Sequence, residues 1–563
     1  MRDYMAEYGR WRENATEDQD VRAELLLMDD KQIEDAFYRD LAFGTGGLRG
    51  LIGAGTNRMN VYTVAKASQG LANAVKRRTG TGKIAVSYDS RIKSQLFAQV
   101  AAGVFAANGL TAYVYPQLMP TPCLSFAVRR LGCDAGVMIT ASHNPARYNG
   151  YKVYGSDGCQ ITTRAADAIL AEIEALDIFS DVRRTPFAEG VKNGRIRWID
   201  EEVYTAFTEA VKAQSVLGTA RVDKNVSIVY TPLNGTGLRP VLRALREAGY
   251  ANIAIVKEQE MPDGNFPTCP YPNPEIREAM ALGMEYAARQ NADLLLATDP
   301  DCDRVGVAVR DGRGEYVLLS GNETGVLLLD YICARRQENG TMPVSPVFVK
   351  TIVTTDMAEQ VAAHYGVETV NVLTGFKFIG EQIGLLEKAG QAERYIFGFE
   401  ESYGYLSGAH VRDKDAVNAS LLICEMYAFY AARGTSLLEK LEELYKTYGY
   451  RLNTLHSYTF EGSAGLARMG TIMASLRGGV ERFGPRAVRE CLDYSAGLEG
   501  LPKSDVLKYI LEDGCSLVVR PSGTEPKLKA YVSVRAENRE LAARLEKEIV
   551  EAFEGCFSGR NVL

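Results

Sequence analysis

The run Ala135-Gly136-Val137-Met138-Ile139-Thr140-Ala141-Ser142-His143-Asn144-Pro145 decides how this chain is read. Its first five residues are apolar and too few for a helix, so they predict a short buried strand. Open α/β sheets place their ligands just beyond the carboxyl ends of such strands. Ser142 then stands at a strand-to-loop switch with an imidazole and an amide beside it, and Pro145 keeps the loop from running on as strand. Taken alone, residues 140–145 are equally readable as an Asn-Pro turn.

Upstream, residues 83–87 read as a strand ending at Tyr88-Asp89-Ser90-Arg91, residues 95–108 as a helix stopped by Gly109, and residues 111–115 as a strand. This alternation predicts a mostly parallel sheet with helices on both faces. The rhythm returns downstream. Strands are expected at 226–230, 251–256 and 293–297, with helices at 238–248 and 276–290 and a turn-rich connection around Pro262-Asp263-Gly264-Asn265-Phe266-Pro267. Further strands are expected at 347–350, 369–373 and 394–398, and the last unit pairs strands 516–520 and 528–534 with a helix at 537–554. Residues 1–39 read as an amphipathic helical extension packed on the body.

A chain of 563 residues is too long for one core. The expected class is α/β with four domains, 1–202, 203–310, 311–448 and 449–563. The first three are similar βαβ-type mixed sheets with helices on both faces, and the fourth is a smaller α+β domain. No apolar run is long enough to span a membrane, and the charged start lacks the apolar core of a signal peptide. The ten cysteines are scattered without a Cys-x-x-Cys pair, as in reduced thiols of a cytoplasmic protein. A net charge of −7 argues against nucleic acid as a partner.

Four more stretches carry chemistry. Phe43-Gly44-Thr45-Gly46-Gly47-Leu48-Arg49-Gly50 lets backbone amides approach an anion, and Arg49 adds a charged fork. Thr298-Asp299-Pro300-Asp301-Cys302-Asp303-Arg304 follows an apolar strand and offers hard oxygen ligands to one divalent cation. An EF-hand fails, because its sixth and twelfth positions are Arg304 and Arg310. An aspartyl-phosphate phosphatase also begins Asp-x-Asp after a strand, but expects Thr or Val where Asp303 stands. In Phe399-Glu400-Glu401-Ser402-Tyr403-Gly404 a carboxylate and a hydroxyl two residues apart can share the vicinal hydroxyls of a sugar. Arg520-Pro521-Ser522-Gly523-Thr524-Glu525-Pro526-Lys527 has the makings of a dianion cradle.

The serine loop, continued by Asn149-Gly150-Tyr151-Lys152, resembles the phosphoserine loop of the α-D-phosphohexomutases, among which are phosphoglucomutases and phosphomannomutases. Asp-x-Asp-x-Asp-Arg, Glu-x-Ser and Arg-Pro-Ser-Gly-Thr-Glu-Pro-Lys are similar to that family's metal, sugar and phosphate loops, in its order. Its glycine-rich copy is most like the longer phosphoglucomutase and phosphopentomutase branch.

The resemblance implies four domains around one central cleft and a phosphoryl group carried on Ser142. It implies one Mg²⁺ per chain, on Ser142, Asp299, Asp301 and Asp303, with Arg49 and Arg304 sharing the remaining charge. Lys152 or His143 would be the general acid/base. Glu400 and Ser402 would read the sugar, with Thr374, Gly375 and Lys377 in the neighbouring turn. His410, Arg412 and Lys414 would lie near the incoming phosphate, and Arg520, Ser522, Gly523, Thr524 and Lys527 would grip the phosphate that is not reacting. His364 and His456 read as structural.

The expected reaction interconverts glucose 1-phosphate and glucose 6-phosphate, with glucose 1,6-bisphosphate as intermediate and activator. Mannose and pentose phosphates stay open as substrates. A non-catalytic sugar-phosphate sensor is the reading from another class. Partners are sugar phosphates, with no nucleic acid or membrane, in a monomer or homodimer.

Overall fold

The computed structural model describes residues 3–558 apart from 45, 461, 499 and 523–526, and arranges them around four sheets in chain order. In the first sheet, Thr111–Val114, Lys83–Tyr88 and Ala135–Ile139 run parallel side by side, and Tyr148–Gly155 returns antiparallel beside the last. The second repeats this plan with Ile253–Ile255, Ile228–Thr231 and Leu294–Thr298, followed by the antiparallel Val305–Arg310. The third does so with Glu368–Val372, Val347–Thr351 and Tyr395–Glu400, then Gly404–Ser407.

The parallel rhythm read from the sequence is therefore present, but each sheet gains a return strand that the rhythm does not predict. Tyr148–Gly155 shows why: Asn149, Gly150 and Lys152 interrupt any apolar run. Past this return strand the first sheet continues through Gly47–Leu51 to Phe43–Gly44. The glycine-rich stretch thus contributes two paired strands, Phe43–Gly44 and Gly47–Leu51, which its composition did not predict. Gly47 is required there, since a Cβ at its φ of 143° would lie 1.8 Å from the Tyr151 carbonyl oxygen.

Tyr316–Leu319 pairs with Val305–Arg310, so the second sheet runs past the expected boundary at 310. Asp311 Oδ1 makes the turn by accepting from the amides of Arg313 and Glu315 at 2.8 and 2.9 Å. The fourth sheet is antiparallel throughout its six strands and is packed by the helices Gly462–Arg477 and Arg539–Gly555.

One apolar core runs without a break through the second and third units, from Tyr230, Leu296 and Val307 to Phe348, Phe397 and Tyr430. A smaller one joins the third to the fourth through Ile352, Val353, Val518 and Tyr531. Shared cores of this kind fix the units against each other. Among the described residues, no helix is long and apolar enough to cross a membrane.

The N-terminal extension is three helices, Tyr4–Asn14, Gln19–Leu27 and Asp30–Phe37. Trp11 is fully buried, edge-on to Phe37, Tyr62 and Phe179 at 5.4–5.7 Å between ring centres. Truncating such a side chain costs roughly 3–5 kcal/mol. Trp11→Ala should move the first urea transition, followed by tryptophan-independent circular dichroism, to lower denaturant by that amount. An unmoved transition would mean that the extension does not stabilise the first domain.

Candidate active site

In each of the first three sheets the site loop joins the carboxyl end of the last parallel strand to its antiparallel return. The three loops are residues 140–147, 299–304 and 401–403. Each holds one non-glycine residue in the left-handed region: Ser142 at φ 52°, Cys302 at φ 50° and Tyr403 at φ 66°. Such a conformation costs about 1–2 kcal/mol and persists only where surrounding contacts impose it.

Those contacts bring the serine and metal loops together. Ser142 Oγ donates to Asp299 Oδ2 at 2.8 Å and lies 3.3 Å from His143 Nδ1. Asp299 Oδ1 accepts the amides of Asp303 and Arg304 at 3.1 and 3.0 Å.

Asp299, Asp301 and Asp303 are all 0% exposed. Lys152 Nζ donates to Asp301 Oδ2 at 2.8 Å and Lys414 Nζ pairs with Asp303 Oδ2 at 2.8 Å. Thr121, at the start of the helix Thr121–Arg130, donates its hydroxyl to Asp301 at 3.0 Å. Burial opposes the Asp301 charge, but Lys152 and then Lys414 outweigh it and hold the carboxyl below its usual range. Burial, then the charges of Asp301 and Asp303, push Asp299 well up.

The three carboxylates offer ligand oxygens within 4.8 Å of one another. Asp301 Oδ1 and Asp303 Oδ1 are buried without a hydrogen-bond partner. Two orphaned carboxylate oxygens aimed into one buried space fit a divalent cation.

Arg304 pairs with Glu275 and lies 3.9 Å from Asp303, while Arg49 donates to the Asn144 side chain at 3.3 Å. Burial, then the Arg304 and Arg49 charges, depress His143 well below the usual imidazole range.

From the third sheet, Glu400 Oε1 accepts the Gly375 amide at 3.0 Å at the start of the helix Phe376–Lys388. The Thr374 hydroxyl oxygen beside it is buried without a partner. Lys377 Nζ lies over the Phe378 ring at 5.3 Å. Ser402 lines a cavity of about 120 Å³ with Glu275, Glu401, Tyr403 and Tyr531, between the third and fourth domains. Arg520 donates to Tyr531 Oη at 3.2 Å, and its charge acts on Glu401. The Ser522 amide closes on the Lys527 carbonyl at 2.7 Å. Gly523 and Thr524 lie outside the described residues.

Two of the expected phosphate ligands are placed elsewhere. His410 Nε2 pairs at 2.9 Å with Asp415, which caps the helix Ala416–Ala431. Arg412 is fully buried against Glu387 at 2.8 Å and the carbonyls of Ala409 and Val411. Both are engaged by residues of the third unit in this arrangement, and only Lys414 of that trio meets the aspartates. Thr121 and Glu275 were not singled out from the sequence. Their only local signals are the helix-start pattern Pro120-Thr121-Pro122 and the Asn-Pro-Glu turn at 273–275.

Known proteins bear on this arrangement. Family models for the phosphoglucomutase/phosphomannomutase α/β/α domains I, II and III match residues 40–178, 205–312 and 320–448, and the model for the C-terminal domain matches residues 477–552. A Staphylococcus saprophyticus phosphoglucomutase is 36% identical over 511 residues, spanning 88% of this chain and 91% of its own. A Staphylococcus aureus phosphoglucomutase is 36% identical over 532 residues, spanning 90% and 92%. Among solved structures, the phosphoglucomutase pp63/parafusin from Paramecium, in an open form, superposes with a TM-score of 0.70 at 17% identity over 93% of this chain and 96% of that one. A phosphoglucomutase/phosphomannomutase family protein from Burkholderia thailandensis gives 0.68 at 17% identity over 92% and 98%. At such identity the superpositions speak for the fold alone.

Glu401 yields a pH test. Burial, then the neighbouring Glu400, raise its carboxyl from 4.5 to about 7. Between those values the folded chain holds a proton that the unfolded chain has released. This contribution to stability is full below about pH 4.5 and is lost as pH rises through about 7. Glu401→Gln should flatten that part of the fall in melting temperature between pH 5 and 7. Parallel curves for the two proteins would contradict the assignment.

Proposed function

The chain belongs to the phosphoglucomutase/phosphomannomutase family, isomerases that move a phosphoryl group within a sugar phosphate, and from that premise we propose that it interconverts α-D-glucose 1-phosphate and glucose 6-phosphate. Transfer runs through phosphorylated Ser142 and a glucose 1,6-bisphosphate intermediate. The observation that carries this reading is the Ser142 hydroxyl, 2.8 Å from Asp299 in a buried cluster of three aspartates. The phosphoglucomutase names of relatives 36% identical over about nine-tenths of the chain favour glucose over mannose or pentose.

Phosphoserine carries nearly two negative charges, so a sugar hydroxyl attacks it only where that charge is neutralised. Asp299, Asp301 and Asp303, with an oxygen of the Ser142 phosphoryl group, would hold one Mg²⁺. Such an ion supplies positive charge to the phosphoryl oxygens. Lys152 and Lys414 keep the aspartates paired, and Arg304 and Arg49 add positive charge around the loop. His143 is the imidazole nearest the serine, 3.3 Å from its Oγ, and can take the proton of the attacking hydroxyl. As the new oxygen–phosphorus bond forms, the bond to Ser142 Oγ breaks, and the proton held on His143 passes to Ser142 Oγ, which regains its contact with Asp299. Glu400 and Ser402 would orient the sugar hydroxyls, and the Arg520 loop would hold the distal phosphate.

Incubation with labelled glucose 1,6-bisphosphate should place phosphate on Ser142, stable to hydroxylamine. Ser142→Ala should take no label and lose roughly 10³-fold or more in kcat. A hydroxylamine-labile label on Asp299 would replace this mechanism with a phosphatase one. Turnover of a panel of hexose and pentose phosphates ranks the sugars.

Metal dependence gives a separate check. A chelator should abolish activity and added Mg²⁺ should restore it, while Asp301→Asn should cost far more in kcat than in melting temperature. Full activity in the chelator would remove the ion from the reading.

A further inference from the structure

Ser142 must hold a left-handed backbone for its hydroxyl to meet Asp299, and nothing in its own side chain favours that conformation. The loop's shape has a visible cause. The carbonyls of Ser142, Asn144, Pro145 and Tyr148 converge on one guanidinium, that of Arg91, whose side chain is 0% exposed. The contacts to Pro145 and Tyr148 are 3.0 and 3.1 Å. Asp89 lies 3.3 Å from Arg91 Nε and balances its charge, and is itself tied down by the Arg91 amide at 3.0 Å and Ser94 Oγ at 2.7 Å. A planar fork with five donors can gather four carbonyls in this way, whereas a lysine ammonium offers three donors from a single point.

The second domain holds the fork in place. Phe266 is buried with its ring 5.1 Å from the Arg91 guanidinium carbon. Two residues earlier, Gly264 packs so closely on the backbone of Ser90, Arg91 and Ile92 that an added Cβ would lie 2.4 Å from the Ile92 nitrogen. The same domain supplies Asp299, Asp301 and Asp303. One rigid body therefore sets both the aspartates and the arginine that shapes the serine loop. The turn at 262–267, which no part of the transfer chemistry uses, acquires a role.

We propose that Arg91 is a positioning residue for phosphoryl transfer. It fixes the Ser142 loop in its left-handed form, and Gly264 and Phe266 of the second domain clamp it there. The proposal rests on the reading of Ser142 as the phosphoryl carrier. A displacement of about 1 Å at a reacting group can cost about 10²-fold in rate, so the clamp would act on kcat. The sugar and distal phosphate contacts lie on the third and fourth domains, so KM should hardly move.

The test uses the full chain as Gly264→Ala, Phe266→Leu, Arg91→Lys and Arg91→Met. Steady-state kinetics with glucose 1-phosphate and added glucose 1,6-bisphosphate are measured beside melting temperatures and amide hydrogen exchange of residues 142–148. Gly264→Ala and Phe266→Leu should lower kcat by about 10-fold or more, with KM within about threefold, and should speed exchange in the loop while exchange in the strand Ala135–Ile139 stays slow. Arg91→Lys should retain more kcat than Arg91→Met. A folded Gly264→Ala or Phe266→Leu protein with parental kcat and parental loop exchange would overturn the proposal, even if Arg91→Met fails to fold. If the parent protein takes no label on Ser142, the carrier reading fails instead. The exchange measurement then still decides whether the clamp shapes the loop.

Discussion

Three carboxylates buried at 0% exposure cannot be assembled unless cations come with them. Removing one ion from water costs several kcal/mol even after relaxation, and like charges at this spacing add to it. The cations come from other domains, Lys152 from a return strand of the first and Lys414 from the third. The charge balance of the metal loop therefore exists only when the three units are docked. A shared apolar core through the second and third units makes that docking a packing outcome and leaves the charges to set its register. Removing either lysine would leave a buried carboxylate without its partner, which costs more than the pair contributes.

The threefold repetition of the sheet plan explains how the loops come to face one another. Each loop leaves a fully buried strand, Ala135–Ile139, Leu294–Thr298 or Tyr395–Glu400, and turns at once into an antiparallel neighbour. Each loop carries one non-glycine residue in the left-handed region, held there by its surroundings. Placing reactive groups at such reversals makes them rigid, and rigidity is what transfer between fixed centres requires. Backbone contacts tie these loops to neighbouring elements: the Val305 amide donates to the Tyr403 carbonyl at 3.1 Å, and the Thr121 amide to the Asp301 carbonyl at 2.9 Å.

Local chemistry made much of this legible in advance. Apolar runs ending in Thr-Ala-Ser-His-Asn-Pro or in Asp-x-Asp-x-Asp announce strand-then-site, and the strands at 135–139, 294–298 and 395–400 follow. The strand pairing of the glycine-rich segment was not legible, because glycine permits a loop and a close strand pair equally, and the close approach of Gly47 to the Tyr151 carbonyl appears only in the folded sheet. For His410 and Arg412 the sequence shows basic residues near a phosphate motif, and only the structure adds their protein partners, Asp415 and Glu387.

By itself the sequence determined the order of the units and the strands that carry each loop, and it singled out Ser142 and three aspartates as the proposed site, since all of these readings depend on residues close in the chain. Only the tertiary structure decided that Lys152 serves Asp301, that Lys414 serves Asp303, that Arg91 gathers the serine loop, and that Phe266 covers Arg91. Those partners lie in different sheets or far apart in sequence. Their energies come from burial and from distances of a few ångströms, which exist only once the sheets have packed.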